Sequence, residues 1–339
     1  MTKETTIYDI AKKLGISAAT VSRGLANHPA ISDKTKKKIQ DTAKKMGYRS
    51  NNFASNLRKQ KTNTIGIIIH ELNSQFMTSV LAGIEQVTAG TAFDLIIGHS
   101  SESAEKEIAN VHNLFHKRVD GLIASLAYET KDVSHYDPFI QKGIPVVFFD
   151  RVEAGSPGTK VVIDNLTAGL TATEHLVQQG CKNIAHITGS ITRNVYADRL
   201  KGYKKALAKH GLAYQKHNVF INDLTAEHSR QAAQKIAAMP NRPDGVFITN
   251  DFCAAICIKA WKEMGLRVPQ DIAVVGFNND AISKIVEPSL TTINYPGIKV
   301  GQTAAKHLLQ QLDGTTPPNT NETIYIHSEL LVRESSVRK

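Results

Sequence analysis

Residues 6–25 read TIYDIAKKLGISAATVSRGL, and this stretch decides how the N-terminal part of the chain folds. Apolar residues recur from Ile7 at spacings of three and four, which predicts one face of a helix. Gly15 can adopt the left-handed backbone that often ends a helix, and Ser17 offers an N-cap oxygen to a second helix. Two short helices joined by a tight turn that contains glycine are typical of a helix-turn-helix.

In a helix-turn-helix, the N-terminal part of the second helix enters the major groove of DNA. Alanine and threonine methyl groups can contact thymine methyls there, and arginine can reach the O6 and N7 atoms of guanine. The residues at that end of the second helix are Ser17, Ala18, Ala19, Thr20, Ser22 and Arg23. A third helix is predicted to follow Ser32, and its lysines at 34 and 36–38 either contact phosphates or simply face solvent.

The positive charge of the chain is concentrated in its first fifth. Residues 1–61 contain 14 lysines and arginines against 4 aspartates and glutamates. The net charge of this segment equals the +10 of the whole chain, so residues 62–339 are neutral overall. Because neutralisation of phosphates drives non-specific nucleic-acid binding, this pattern predicts a cationic DNA-binding head on a neutral body with another role.

Length and cysteine content narrow the class of protein further. A chain of 339 residues predicts two or three domains, and no apolar run reaches the ~18 residues that a membrane span needs. The polar N-terminus lacks a signal-peptide core, so we expect a cytoplasmic, nucleoid-associated protein with no membrane partner. Three cysteines cannot form a full disulfide framework, and Cys253 and Cys257 are interpreted as buried apolar residues rather than metal ligands. No metal or cofactor is predicted.

Residues 6–51, TIYDIAKKLGISAATVSRGLANHPAISDKTKKKIQDTAKKMGYRSN, resemble the headpiece of the LacI/GalR family of bacterial repressors. The similarity runs without gaps here and continues through essentially the whole chain. It implies a sequence-specific, ligand-responsive transcription regulator, interpreted as a repressor, that binds a near-palindromic operator as a homodimer. Gly24 replaces the bulky aliphatic residue usual in the family. A helical glycine costs about 1 kcal/mol relative to alanine and removes a packing methyl, so we expect a looser recognition helix.

Residues 50–61, SNNFASNLRKQK, form a polar and basic linker that could at most make a marginal helix on its own. The family resemblance implies a hinge that folds only on specific DNA, paired with its dimer mate in the minor groove. It places Leu57 as the wedge that opens a base step, Ala54 at the contact between hinges and Arg58 on a phosphate. The alternative is that Leu57 packs against the body. The candidate DNA contacts are Thr6, Ser17, Ala18, Ala19, Thr20, Ser22, Arg23, Asn27, Tyr48, Ala54, Leu57 and Arg58.

From residue 63 onward, short apolar runs alternate with helical stretches, which predicts an α/β fold with parallel sheets covered on both faces. The strand-like runs are TIGIIIH, FDLIIGH, DGLIAS, IPVVFFD, KVVID, NIAHITG, DGVFITN and DIAVVGFN. The pattern restarts near Asp164, which indicates two similar subdomains. The family resemblance implies the same architecture, a body like the periplasmic sugar-binding proteins in which the chain crosses three times between subdomains.

The domain boundaries follow from these patterns. The headpiece is placed at 1–49 and the hinge at 50–61, with the three crossings near 162–165, 289–293 and 321–325. The N-terminal subdomain then comprises 62–163 and 292–322, and the C-terminal subdomain 164–291 and 323–339. Residues 322–335, ETIYIHSELLVRES, alternate in polarity and are predicted to form one last strand. The resemblance gives helices at 75–90 and 102–116 much of the self-association surface.

Ligands of open α/β sheets bind at the carboxyl ends of the strands, which here border the cleft between the subdomains. Phe76 has the N-x-x-F setting common in the family, and Arg199 matches the family's R-x-x-G-[YW] effector arginine. Paired polar groups suit vicinal hydroxyls and aromatic rings suit sugar C–H faces, so a sugar or sugar derivative is expected. Capping of a helix is the alternative role for each Asn or Asp. The candidate effector contacts are Asn73, Phe76, Ser100, Asp150, Arg151, Arg199, Asn250, Asn278 and Asp280.

Position 278 suggests a more specific hypothesis. The family often has aspartate after G-[FY], whereas this chain has Asn278 in GFNND. With Arg151 and Arg199 both candidates, the cleft would lose an anion and hold two cations, which favours a sugar acid or a sugar phosphate. Pairing of Arg151 with a neighbouring carboxylate would remove this basis, and Asp280 could take the place of the missing carboxylate.

The sequence argues against three other classes of protein. It contains no G-x-G-x-x-G after a strand, no P-loop and no G-x-S-x-G, so no enzyme is predicted. His112 and His116 have the spacing of a metal pair but lack the glutamate of H-E-x-x-H. A plain solute-binding protein has no use for residues 1–61, and a non-specific architectural DNA binder has no use for a large neutral body built around a cleft.

Overall fold

The computed structural model describes residues 5–48 and 61–338. The chain forms two compact units, residues 1–62 and residues 63–339, which are described separately below. Among the described residues, none of the helices combines the length and the apolarity that a bilayer crossing requires.

The headpiece contains the three predicted helices, α1 (Ile7–Leu14), α2 (Ala18–Leu25) and α3 (Asp33–Lys45). Each begins at a hydroxyl N-cap, and Thr6 forms a reciprocal capping box with Asp9. Gly15 ends α1 in the left-handed region at φ 64°, as predicted. The fully buried side chains of Ile10, Val21 and Ile39, one from each helix, form its core.

Gly24 does not leave a gap in this core. It is buried, and a Cβ atom placed on it would lie 2.4 Å from Cδ1 of Ile39, so the end of the isoleucine side chain occupies the space of the missing methyl. Our expectation that Gly24 loosens the packing of the recognition helix is therefore wrong, because the Ile39 side chain of α3 fills the space that a larger residue at position 24 would occupy. The lower helix propensity of glycine remains.

We therefore expect Gly24→Ala to destabilise the headpiece by about 1 kcal/mol, since overpacking at Ile39 costs about 1–3 kcal/mol and alanine returns about 1 kcal/mol of helix propensity. Combining it with Ile39→Val, which removes Cδ1, should restore stability to within about 0.5 kcal/mol of the unsubstituted chain. Urea unfolding of the four proteins of this double-mutant cycle measures the coupling. Additive effects of the two substitutions would contradict the contact.

The body contains two six-stranded sheets. The first has the order β11-β5-β4-β3-β1-β2, with all its neighbouring strands parallel, and it defines the N-subdomain. Its strands are β1 (Thr64–Ile69), β2 (Asp94–His99), β3 (Gly121–Ala124), β4 (Val146–Phe149), β5 (Thr159–Ile163) and β11 (Thr323–Ile326).

The second sheet defines the C-subdomain and has the order β12-β10-β9-β8-β6-β7. Its neighbours are parallel except that β12 runs antiparallel to β10. Its strands are β6 (Ile184–Thr188), β7 (Val219–Ile221), β8 (Gly245–Ile248), β9 (Ala273–Asn278), β10 (Thr291–Asn294) and β12 (Glu329–Leu331). All eight predicted runs are strands of one sheet or the other. β7 has only three residues and β10, TTIN, is mostly polar, so neither was predicted.

Helices cover the sheets. Those of the N-subdomain are α4 (Gln75–Thr88), α5 (Ala104–His116), α6 (Asp137–Gln141) and α12 (Gly297–Leu312). Those of the C-subdomain are α7 (Asn165–Gln178), α8 (Asn194–Lys209), α9 (Ala226–Ala237), α10 (Asp251–Glu263) and α11 (Ile282–Ile285).

Two of the three predicted crossings need correction. The chain leaves the N-subdomain at Asp164, as expected, but β10 belongs entirely to the C-subdomain sheet, so the return lies at 295–296 instead of 289–293. The last crossing lies at 327–328 instead of 321–325, because β11 pairs with β5 and only β12 pairs with β10. The alternating stretch 322–335 is thus two strands in different sheets, since alternation identifies a strand but not its partner.

Candidate functional site

The N-terminal end of α2 presents the predicted groove-facing residues on the surface of the headpiece. Ala19 and Arg23 are exposed, and Ala18, Thr20 and Ser22 are partly exposed. Ser17 is exposed as well, but its hydroxyl accepts from the backbone N–H of Thr20 at 3.1 Å and so caps the helix.

The other predicted DNA contacts of the headpiece are Thr6, Asn27 and Tyr48. The Thr6 hydroxyl donates a hydrogen bond to the Asp9 carboxylate at 2.7 Å. Asn27 is exposed and has a φ of 54°, whereas Tyr48 is partly buried against the headpiece core. Tyr8 on α1 is 72% exposed, an aromatic surface residue that the sequence analysis did not single out. The predicted hinge contacts Ala54, Leu57 and Arg58 lie outside the described residues.

In the body, Arg151 is a buried side chain that is paired with a carboxylate. Both Nη1 hydrogen bonds go to the Glu102 carboxylate, at 2.8 and 2.7 Å, and Nη2 donates to the Tyr196 hydroxyl at 3.3 Å. The guanidinium also lies 4.0 Å from the ring centroid of Tyr128. The alternative raised for Arg151 therefore holds: its charge is neutralised within the protein, and it does not supply a free cation to the cleft.

Arg199 is also buried and lies on the C-subdomain side. Its Nε donates to Asn165 at 2.8 Å, Nη1 donates to the carbonyl of Thr249 at 3.2 Å, and the group stacks 3.5 Å from the ring centroid of Phe277. Burial lowers the pKa of the guanidinium. Its hydrogen-bond partners are neutral and hold its orientation, and the nearby Asp150 carboxyl favours its charged form.

Glycines in α7 and α8 set the position of Arg199. A Cβ at Gly202 would lie 2.2 Å from the carbonyl oxygen of Leu166, and one at Gly169 would lie 2.4 Å from the carbonyl oxygen of Arg199 itself. Only glycine allows the two helices to approach this closely. The glycine of the R-x-x-G-Y motif thus brings the backbone of its arginine against α7.

Asp150, Phe76 and Tyr295 form a third group of neighbouring side chains. Asp150 is buried, has φ 57° and interacts electrostatically with Arg151, Arg199 and Tyr295. Burial raises the pKa of its carboxyl, although the two arginines act in the opposite direction. The ring of Phe76 packs on Tyr295 with centroids 4.2 Å apart. The buried hydroxyl of Tyr295 faces the carboxyl of Asp150, and burial together with this carboxyl raises the pKa of Tyr295.

The remaining predicted contacts have structural partners or face solvent. Ser100 is fully buried and donates to the carbonyl of Ile69, Asn250 caps α10 through Cys253 N at 3.0 Å, and Asn73 is exposed. The structure thus gives Asn250 the capping role that the sequence left open.

Asn278 and Asp280 follow β9. Nδ2 of Asn278 donates to Asp280 at 3.4 Å, and burial raises the pKa of Asp280 to about 6. The backbone N–H of Asp280 donates at 2.8 Å to Asp251, whose pKa burial raises to about 8. Asp280 therefore supplies a carboxylate close to position 278, where the family pattern often has one.

Sequence reasoning missed a set of contacts that join the two subdomains. The hydroxyls of Tyr128 and Tyr196 are 2.8 Å apart, and Asn194 bonds to the backbone of Asp150 and Val152 at 3.1 and 3.0 Å. Arg193 donates to the carbonyl of Thr130. Tyr128, Arg193, Asn194 and Tyr196 do not directly follow a strand, so the rule that located the other candidates could not find them.

Comparison with known proteins agrees with both parts of this description. Residues 6–51 match the family model described as bacterial regulatory proteins, lacI family, and residues 173–336 match the periplasmic binding protein-like domain. The chain is 31% identical over 312 residues to catabolite control protein A of Priestia megaterium, covering 92% of this chain and 93% of that protein.

It is also 31% identical over 332 residues to the HTH-type transcriptional repressor PurR of Erwinia tasmaniensis, covering 97% of this chain and 96% of that one. Among solved structures, the Lac repressor dimer bound to operator and the anti-inducer ONPF superposes with a TM-score of 0.87 at 25% identity, covering 99% of this chain and 100% of that one. Headpiece, body and relatives together show that the chain is a DNA-binding transcription regulator and belongs to the lacI family of bacterial regulatory proteins.

Proposed function

We propose that this regulator is a ligand-responsive repressor that binds a near-palindromic operator as a homodimer and holds a sugar or sugar-derived effector in the cleft between its subdomains. The observation that carries the proposal is the combination of two features in one chain. One is a cationic headpiece with Ala19 and Arg23 exposed at the start of α2, and the other is a cleft in which buried charged and aromatic groups converge.

A homodimer follows from the way the headpiece reads DNA, because one recognition helix covers only a half-site. The N-subdomain supports self-association, since Leu72, Ile97 and Ile108 are apolar side chains 49%, 49% and 38% exposed. They lie before α4, on the edge strand β2 and on α5, close to the helices assigned to self-association from the sequence. The hinge, with Leu57 as its wedge, would then pair with that of the partner subunit.

The chemistry of the cleft suits a polyol ring. Asp150 and Arg199 can form paired hydrogen bonds with vicinal hydroxyls, and the rings of Phe76, Tyr295 and Phe277 offer apolar faces. Binding would alter the contacts between the subdomains, change the spacing of the two headpieces and thereby bias folding of the hinge, which is a coupling between two distinct sites. The protein would act at the nucleoid, in the cytoplasm.

Selection from random duplex DNA with the full chain tests this function. We expect a near-palindromic sequence bound about 10³-fold more tightly than its scrambled version at the same salt concentration. Arg23→Ala should cost about 1–3 kcal/mol and relax preference at one base pair in each half-site. Lys37→Ala, an exposed cation on α3, is the matched control that should weaken binding to all sequences alike.

Equal affinity for the selected and scrambled duplexes would overturn the assignment of a specific operator. Selection of a single unpaired half-site by a monomeric protein, measured by analytical ultracentrifugation of the complex, would overturn the homodimer.

A further inference from the structure

Arg193 lies in the loop that joins β6 to α8, and its side chain bridges the two subdomains. It is the N-cap residue of α8, in the C-subdomain, and is only 3% exposed. Its Nη2 donates to the carbonyl oxygen of Thr130, which follows β3 in the N-subdomain. The guanidinium is therefore enclosed between the two walls of the cleft.

The hydrogen-bonding capacity of this guanidinium is not satisfied. Among the described residues, Nε and Nη1 of Arg193 are buried without a hydrogen-bond partner, and no carboxylate forms an ion pair with the group. The carboxylates that act on it from further away are those of Glu153, Glu107 and Glu102. Glu102 is held by Arg151 and Glu107 by His135. A buried, charged donor without an acceptor is costly, so a ligand that accepts hydrogen bonds from Nε and Nη1 would bind favourably here.

The helix that begins at Arg193 adds a second positive feature. α8 has 16 residues, and no side chain caps its N-terminus. The neighbouring helices of the C-subdomain, α7, α9 and α10, are capped by Asp164, Thr225 and Asn250. An uncapped helix N-terminus presents free N–H groups and a partial positive charge, which favour an anion.

We propose that the effector carries an anionic group, a carboxylate or a phosphate, which binds between Arg193 and the first turn of α8. The proposal rests on the effector cleft of the proposed function and assigns the chemical class of the ligand. In this proposal the positive charge comes from Arg193 and not from Arg151. Arg151 forms an ion pair with Glu102, whereas no carboxylate among the described residues forms an ion pair with Arg193. The anion supplies the acceptor that the guanidinium lacks and joins the two subdomains through one residue.

The test compares Arg193→Met with the unsubstituted chain and with Arg230→Met. Arg230 is an exposed arginine on α9, paired with Glu263 at 2.7 Å and outside the cleft, so it controls for loss of one positive charge. Melting temperatures are measured on the full chain in sodium phosphate and in sodium acetate, each against sodium chloride of equal ionic strength. We expect both anions or one of them to stabilise the unsubstituted chain and Arg230→Met, but not Arg193→Met.

Binding of matched compounds extends the test from the ions to effector-like molecules. Glucose, gluconate and glucose 6-phosphate share a carbon skeleton and differ in charge, so calorimetric titration separates carboxylate from phosphate recognition. We expect one acid to bind at least about tenfold more tightly than glucose, and this advantage to disappear in Arg193→Met. Equal shifts with phosphate, acetate and chloride, or an advantage that survives in Arg193→Met, would overturn the proposal.

A third readout does not depend on any ligand. With no anion other than chloride present, we expect Arg193→Met to unfold at a urea concentration no lower than that of the unsubstituted chain, because it removes an unsatisfied buried charge. A lower midpoint would show that the protein itself satisfies the guanidinium. Operator binding is measured in parallel. Anion binding without operator binding would count against the proposed function, and operator binding without anion binding would count against the anionic effector alone.

Discussion

Replacing Glu107 by alanine is expected to lower the free energy of unfolding by about 3–5 kcal/mol. Glu107 is fully buried on α5, and its carboxylate accepts from His135 at 2.9 Å, Thr130 at 3.0 Å and Tyr136 at 3.2 Å. It also accepts from the backbone N–H of Ala127 at 2.6 Å. Alanine would leave four buried donors without their acceptor. This one carboxylate therefore holds the segment 127–136 at four positions, all of which would be released.

The effect is measured by urea unfolding at a fixed protein concentration, followed by circular dichroism. Glu105→Ala, on the exposed face of the same helix, is the control and should change the free energy by less than about 1 kcal/mol. The sole tryptophan, Trp261, is buried in the C-subdomain and reports whether that subdomain unfolds together with the other. A Glu107→Ala protein as stable as Glu105→Ala would show that the network around Glu107 contributes nothing.

Replacing Glu102 by glutamine is expected to cost about 2–3 kcal/mol, because the buried guanidinium of Arg151 would lose its counter-charge. Glu102 binds Nη1 of Arg151 through both oxygens and accepts from the backbone N–H of Tyr128 at 2.9 Å. Arg151→Met should also destabilise the protein, but by less, since the side chain of Glu102 is 23% exposed and keeps water as a partner.

A double-mutant cycle isolates the pair. The combined Glu102→Gln and Arg151→Met substitution should cost at least about 1 kcal/mol less than the sum of the single effects. If Glu102→Gln leaves stability unchanged, the charge of Arg151 is not held by Glu102. Arg151 would then be available to an acidic effector, as first hypothesised from the sequence.

Local patterns identified the secondary structure well because the signals that define it are local. The caps at Thr6, Ser17 and Ser32 and the left-handed Gly15 fix the helices of the headpiece within a few residues of sequence. Continuous apolar runs gave the eight predicted strands, since strands buried on both faces need apolar side chains at every position. β7, with three residues, and β10, with one apolar residue among four, lack such a pattern and were not predicted.

The candidate cleft was predicted less completely, and the errors have one cause. Strand ends singled out Asp150, Arg151 and Asp280, because parallel strands bring their carboxyl ends to one edge, and all three side chains are buried in the structure. Tyr128, Arg193 and Tyr196 come from other loops and from α8, and they reach the cleft only because the two subdomains lie together. Contacts between residues more than sixty positions apart have no signature in a single sequence.

The sequence by itself determined the cationic headpiece, the parallel α/β body and the family to which the chain belongs, since charge, capping residues and apolar periodicity act over short distances along the chain. The tertiary structure alone decided that Ile39 fills the space beside Gly24, that β11 and β12 join different sheets, and that Arg151 is neutralised while Arg193 is not. These outcomes depend on which side chains meet after the subdomains pack. The free energy of a buried charge is set by those neighbours, and the sequence does not name them.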